Sequence, residues 1–233
     1  MADQPILFSG AMVLALLDGR KTQTRRVMNP QPEPDFILAE FTKDGFTMKP
    51  ASLFGSPTHR MLRRLHRPGD RLWVRENWRT PESLDHLSPS EIADQCKEAG
   101  YIGPWCPRVT EADNLTHQWS EEDGFSESLP AGRLRASMHM PRWASRLTLK
   151  VTEVRVQRLQ DISEDDAAAE GWPAPEDRAK EGLAEIRDAY PIGWFAHLWD
   201  SLNAARGFGW DANPWVSATS FEVIRGNIDE VKS

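Results

Sequence analysis

The amino-acid sequence predicts an α+β fold, and three observations predict it. Period-two apolar spacing marks strands at residues 71–78, 147–156 and 215–224. Helical spacing marks buried helices at 11–17 and 192–204, and an acidic helix with its own caps stands at 161–171. A chain of 233 residues with 39% hydrophobic side chains and ten Trp can bury a core and is not disordered. The length suits one domain over 1–233 that carries a long insertion, and no internal repeat is visible.

Taken in order, residues 5–9 form a short β-like run and 11–17 a buried helix, with Gly19 where a C-terminal cap is wanted. Residues 29–58, rich in Pro, Gly and acids, predict a long loop with one hairpin over 36–41 and 47–49. A second basic run at 59–67 has helical apolar spacing. Pro68-Gly69-Asp70 then turns into a strand with Leu72, Val74 and Glu76 on one face and Trp73, Arg75 and Asn77 on the other. Glu76 is thus either a buried carboxylate or a strand-end residue already in water. Residues 79–132 are an acidic, turn-rich insertion, too long for a plain loop, so internal structure or a lid is expected there. The alternation Leu147, Leu149, Val151 resumes at Val154 and Val156 after a bend near Glu153.

The helix at 161–171 has Ser163 as N-cap, Asp166 at its third position, acids in its first turn and Gly171 at its end. Glu170 closes it, which is electrostatically the wrong end for a carboxylate. Such a charge is either solvated or partnered, and Lys21 with its neighbouring arginines is the natural partner. Helices are expected at 176–189 and 192–204, the second with Trp194, Phe195, Leu198, Trp199 and Leu202 at core spacing. A loop at 207–214 leads into the closing strand.

Charge is segregated along the chain, and that matters more than the net −7. Residues 81–130 hold 2 cations against 11 anions, whereas residues 131–158 hold 7 against 1. A protein that coats duplex nucleic acid would be basic throughout; a local basic cleft on an acidic body fits a small or single-stranded polyanion. No apolar run approaches the 18 residues or so of a membrane span, and no signal-peptide pattern opens the chain, so a cytoplasmic protein is expected. Cys96 and Cys106 are expected to be ordinary thiols.

The segment with the most chemistry is Gly19-Arg20-Lys21-Thr22-Gln23-Thr24-Arg25-Arg26. A helical turn would place Lys21 beside Thr24, whereas a flat strand would send them to opposite faces. An amine beside a hydroxyl is a minimal base and nucleophile, and crowding by Arg20, Arg25 and Arg26 lowers a lysine's pKa.

Four motifs in order carry a family resemblance: Gly19-Arg20-Lys21-Thr22-x-Thr24; Pro68-Gly69-Asp70-x-Leu72-Trp73-Val74-Arg75-Glu76; Ile162-Ser163-Glu164 through Glu170-Gly171; and Trp210-Asp211-x-Asn213-Pro214-Trp215. Together they resemble the ASCH domain family, and within it the longer members met in bacteriophages and prophages. The resemblance spans most of the chain except 79–132. It implies a PUA-like fold, a small, mostly β barrel with helices around a cleft, associated with RNA and modified-base recognition. Some small bacterial members are amidohydrolases that deacetylate N4-acetylcytidine, and their Lys, Thr and Glu fall on Lys21, Thr24 and Glu170. Arg20, Thr22, Arg25, Arg26, Arg75, Glu76 and Trp73 are then the expected substrate- or phosphate-binding residues, with no metal and no cofactor. The expected partner is a nucleoside or a single-stranded nucleic acid. A non-catalytic reader of single-stranded RNA or DNA, with Trp73 or Trp143 as stacking residues, is the second function class, and a ribonuclease the third.

Overall fold

The sequence cues for where elements start and stop are met in a computed structural model. It describes residues 2–32, 65–99, 107–117, 130–174, 177 and 190–231, with the backbone of the short strands at 36–37, 41–42, 45–46 and 49–50. The expected helix at 59–67 lies mostly, and that at 176–189 almost wholly, outside the described residues. The architecture is mixed α+β, as the periodicities require. The chain separates into two compact units, residues 1–19, 69–150 and 222–233 in the first, and 20–68 with 151–221 in the second.

In the first unit, β1 (Asp3–Leu7) leads into α1 (Gly10–Leu17). Ser9 caps α1 by accepting the Met12 N–H, and Gly19 leaves the helix at φ +75°, a conformation that costs glycine little. β7 (Arg71–Arg75) pairs in parallel with β1, Asp3 opposite Arg71 and Leu7 opposite Arg75. β7 also pairs antiparallel with the start of β11 (Leu147–Arg158), Trp73 opposite Thr148. The alternation anticipated in the sequence is realised: Leu72, Val74 and Glu76 are all buried to 1% exposure or less.

The acidic stretch 79–132 is not a bare loop. β8 (Trp78–Arg79), β9 (Arg108–Thr110) and β10 (Leu115–His117) form a small antiparallel sheet in the order β10-β9-β8. α2 (Pro89–Glu98) carries a complete capping box between Ser88 and Glu91, and packs Ile92 and Cys96 against Leu84, Leu87 and Trp143.

In the second unit, β2 (Gln23–Val27) pairs antiparallel with β12 (Trp215–Arg225), Thr24 opposite Thr219 and Gln23 opposite Ser220. The short strands β3 (Phe36–Ile37) and β6 (Lys49–Pro50) pair with each other, as do β4 (Phe41–Thr42) and β5 (Gly45–Phe46), so antiparallel pairing arises where a hairpin was expected. β11 enters this unit at Val151. Thr152 and Glu153 are both exposed before Val154 and Val156 return to the interior, which is the bend expected near Glu153.

α3 (Glu164–Ala169) starts at Ser163, whose hydroxyl accepts the Asp166 N–H, and ends at Glu170, with Gly171 at φ +107°. α4 (Pro191–Asn203) buries Trp194, Phe195 and Trp199 against Leu159, Ile162, Ala167 and Val216. Leu202, expected in that core, is instead 53% exposed. Near the helix end its position rotates past the face that meets α3, so the spacing rule over-extends by one turn. In neither unit do the described strands pair back into a closed ring.

Candidate functional site

β2 and the C-terminal end of α3 bring the site together in the second unit. Lys21 lies two residues before β2, bridged antiparallel to Glu170, and the Thr22 N–H donates to the Ala169 carbonyl at 2.9 Å. These backbone bonds place the Lys21 side chain against the helix end. Its Nζ donates to Glu170 Oε2 and to the Glu170 carbonyl, both at 2.8 Å, and Lys21 has no solvent exposure. The misplaced carboxylate thus has the partner that its position at the negative end of a helix demands.

The remaining oxygens are filled from β2. Arg25 Nη1 donates to Glu170 Oε1 at 3.1 Å, and Arg25 Nη2 to Asp166 Oδ2 at 2.8 Å. Asp166 precedes Glu170 by four residues, one helical turn, so both carboxylates face the strand. Gln23 joins Asp166 Oδ1 at 3.1 Å and Ser220 Oγ at 3.0 Å, while Arg155 from β11 donates to both Asp166 oxygens. Arg20 Nη1 donates to the carbonyls of Gly171 and Trp172, which ties down the residues after the helix.

Burial is the main influence on Lys21 and lowers its pKa from the ordinary lysine value; Glu170 opposes this, and Arg26 and Arg25 add to it. Burial pushes the Asp166 carboxyl up, yet Arg155, Gln23 and Arg25 hold it below its usual value. Arg26 is exposed, but enclosure by protein lowers its pKa, with Glu170 pulling the other way. Lys21, Arg25 and Arg155 surround Asp166 and Glu170, and Arg155 also reaches Glu153 at 3.5 Å.

Lys21, Gln23, Arg25 and Glu170 therefore converge, as the sequence suggested for Lys21 and Glu170. Thr24 is buried, with 4% exposure, but it lies in a strand and not in a helical turn. Alternation turns Gln23 and Arg25 toward the carboxylates and Thr24 and Arg26 to the other face of β2. β12 supplies the reason for the strand: its antiparallel ladder pairs with β2 from Gln23 to Val27. On that second face Thr219 stands opposite Thr24, and Thr219 Oγ1 lies 3.5 Å from His66 Nδ1. Thr22 leaves its side chain exposed.

The other expected binding residues belong to the first unit and to a different network. The Arg75 guanidinium covers the Trp73 ring at 4.4 Å and donates to the Met138 carbonyl, leaving Trp73 only 6% exposed. Trp143 meets Trp78 edge-on at 5.6 Å. Glu76 is held by Arg146 Nε and Nη2 at 2.7 and 2.9 Å, and Arg146 Nη1 continues to Asp113 at 2.6 Å. Burial raises the Glu76 pKa against that pairing. Asp166, Gln23 and Arg155 escaped the sequence reading as site members. The i, i+4 spacing of Asp166 and Glu170 and the i, i+2 spacing of Gln23 and Arg25 were the available signals.

Among the described residues, no helix is long and apolar enough to cross a membrane, and no group of three or more His, Cys, Asp or Glu side chains is arranged to hold a metal ion. No family model matches the sequence, and no match to it was found among curated proteins. Among solved structures the chain is similar to the crystal structure of protein EF3133 from Enterococcus faecalis V583, which carries the family label DUF984. The identity is 11% and the TM-score 0.36, over 100% of this chain and 86% of that one. A likeness that weak says nothing of activity.

Proposed function

We propose that the chain is a long ASCH-type, PUA-like protein, working in the cytoplasm of a bacterial host, that hydrolyses an exocyclic amide on a modified nucleoside or base. The simplest substrate is N4-acetylcytidine. The observation that carries this reading is a fully buried lysine, its amine 2.8 Å from the carboxylate of Glu170 and 149 positions away in sequence. A buried ion pair is a costly way to stabilise a fold, since apolar residues of similar volume do as well or better. Perturbed titratable groups of this kind cluster at functional sites.

The pair can move a proton. Transfer from Lys21 Nζ to Glu170 Oε2 converts two buried charges into a neutral amine and a carboxylic acid, and burial favours the neutral amine. Neutral Lys21 takes a proton from water as the water oxygen attacks the acyl carbon, and the C–N4 bond breaks as Glu170 gives its proton to the leaving nitrogen; the carboxylic acid leaves and the Lys21–Glu170 ion pair returns. Thr24, on the other face of β2, takes no part in this step. Arg26 supplies positive charge for the oxyanion or a substrate phosphate.

A non-catalytic reader has less support. Trp73 is covered by Arg75 and Trp143 packs on Trp78, so neither presents an open face for a base. The test is incubation with N4-acetylcytidine, free and within an RNA oligonucleotide. Cytidine release by the wild type that falls about 10²–10⁴-fold in Lys21→Ala is expected. Salt-sensitive oligonucleotide binding with no release from either substrate would replace the enzyme with the reader.

A further inference from the structure

The Glu170 carboxylate is shared between two cations, one on each oxygen. Lys21 Nζ donates to Oε2 at 2.8 Å, and Arg25 Nη1 donates to Oε1 at 3.1 Å. The two oxygens are therefore not equivalent. A lysine can give up its proton, whereas a guanidinium keeps its N–H groups at any pH a folded protein meets. A proton on Oε1 would meet the Nη1–H of Arg25 head-on, while a proton on Oε2 faces the lone pair of a neutral Lys21 amine. Arg25 is itself held in place. Its Nη1 also donates to Gln23 Oε1 at 2.5 Å, its Nη2 donates to Asp166 Oδ2 at 2.8 Å, and the Phe195 ring of α4 lies 5.8 Å from its Cζ. Gln23 in turn donates to Asp166 and Ser220, so a swing of the fork toward Oε2 would break this set of bonds.

We propose that Arg25 is a positioning residue: by occupying Glu170 Oε1 it confines the transferable proton to Oε2, the oxygen that faces Lys21. The assignment rests on amide hydrolysis by the Lys21–Glu170 pair. In the transfer the Nζ–H bond breaks, its electron pair stays on nitrogen as the amine lone pair, and an Oε2–H bond forms. That proton goes on to the leaving nitrogen, and Nζ regains one from the attacking water. Arg25 acts through Glu170. The charged groups around the pair are Arg25 and Arg26 from β2, Asp166 from α3, and Arg155 from β11 with Glu153 3.5 Å away. Arg20 donates to the Gly171 and Trp172 carbonyls just past the helix, and α4 presents the Phe195 ring. Burial lowers the Lys21 pKa most, and the charges of Arg26 and Arg25 lower it further against the pull of Glu170.

The experiment is the pH dependence of kcat and KM for N4-acetylcytidine in the wild type, Arg25→Gln, Arg25→Lys and Gln23→Leu, each first checked for wild-type circular dichroism and melting. The wild type should give a bell-shaped profile, because the pair works with one proton between its two groups and not with two or none; both limbs belong to the pair. Arg25→Gln removes a positive charge beside the pair, so both limbs should move up by about one pH unit while kcat falls about 100-fold and KM changes little. Arg25→Lys keeps the charge, but a single ammonium cannot span Glu170, Gln23 and Asp166, so kcat should fall about 10-fold with both limbs in place. Gln23→Leu takes an acceptor from Arg25 and leaves the pair untouched, and should likewise lose about 10-fold in kcat without moving the limbs. A folded Arg25→Gln whose limbs coincide with those of the wild type overturns the assignment, since an arginine that only supports the fold would slow turnover without moving its titration. So does an Arg25→Lys with wild-type kcat. If neither Arg25 variant folds, a Gln23→Leu with undiminished kcat overturns it. Absence of turnover in the wild type at every pH instead overturns amide hydrolysis, and the role of Arg25 with it.

Discussion

At the scale of single residues, the second unit concentrates its electrostatics on two carboxylates one helical turn apart. Asp166 serves three donors at once, Arg25, Arg155 and Gln23, and this set holds its carboxyl below the ordinary value despite burial. The sign of the consequence follows from linkage. A carboxyl with a depressed folded-state pKa contributes stability that is present above the unfolded value of about 3.9 and is lost as pH falls through the folded value. Asp166→Asn should therefore cost about 2 kcal/mol at neutral pH, the scale of a charge-assisted hydrogen bond. The gap between variant and wild type should close as urea denaturation is repeated at pH values below the carboxylate range. A gap that stays constant down to acid pH would mean that charge is not what Asp166 contributes. The Lys21–Glu170 contact was legible beforehand, because a carboxylate at a helix C-terminus needs a cation and the nearest basic cluster is unusually dense. His66 was not legible. A histidine inside a basic run gives no sign that a threonine far along the chain will stand beside it.

At the scale of elements, apolar periodicity located α1, α4 and the strands β7, β11 and β12, since burial on one face is what gives a periodic pattern its meaning; α3 was marked by its caps, and α2 lies in a stretch with little apolar period. The pattern failed where an element outruns its neighbour. Leu202 continues the spacing of Trp194, Phe195, Leu198 and Trp199, yet it is exposed while Trp199 is 4% exposed. Trp199 also donates its indole N–H to the Phe208 carbonyl at 2.7 Å and sits 5.9 Å from the Phe195 ring. Trp199→Ala should then cost about 3–5 kcal/mol through the cavity it opens, and Leu202→Ala should stay within about 0.5 kcal/mol. Chemical denaturation of the two variants checks this. Comparable losses would mean that Leu202 is buried in solution. The sequence was equally mute on β2 as a strand, for a stretch of Thr, Gln and Arg has no apolar period. Only the ladder to β12, distant in sequence, makes it extended.

At the scale of the whole chain, the alternation of acidic and basic blocks finds its physical meaning inside the first unit. The acidic stretch 79–132 is tied to the basic stretch after it. Arg135, with 7% exposure, donates to the carbonyls of Leu84 and Leu87; the Arg133 N–H donates to Asp85 at 2.7 Å, and Arg146 joins Asp113 to Glu76. Ile92 and Cys96 fill the space beside Trp143, and Thr110 pairs with Trp78, which is wholly buried. A lid would close over other residues without holding them up; this segment supplies partners that a buried arginine and two tryptophans need. Excision of 79–132, joining residue 78 to 133, should therefore not yield a smaller folded protein. Leaving Arg135 without its acceptors alone costs about 3–5 kcal/mol, against a total stability of about 5–15 kcal/mol for a domain. Removing Ile92 and the cover over Trp78 and Trp143 adds further losses of about 2–5 kcal/mol each. The expected product is insoluble, or soluble with no cooperative melt and no near-ultraviolet tryptophan signal. A deletion variant with a sharp thermal transition and native near-ultraviolet dichroism would show that residues 79–132 rest on the unit without supporting it, and the lid reading would then return.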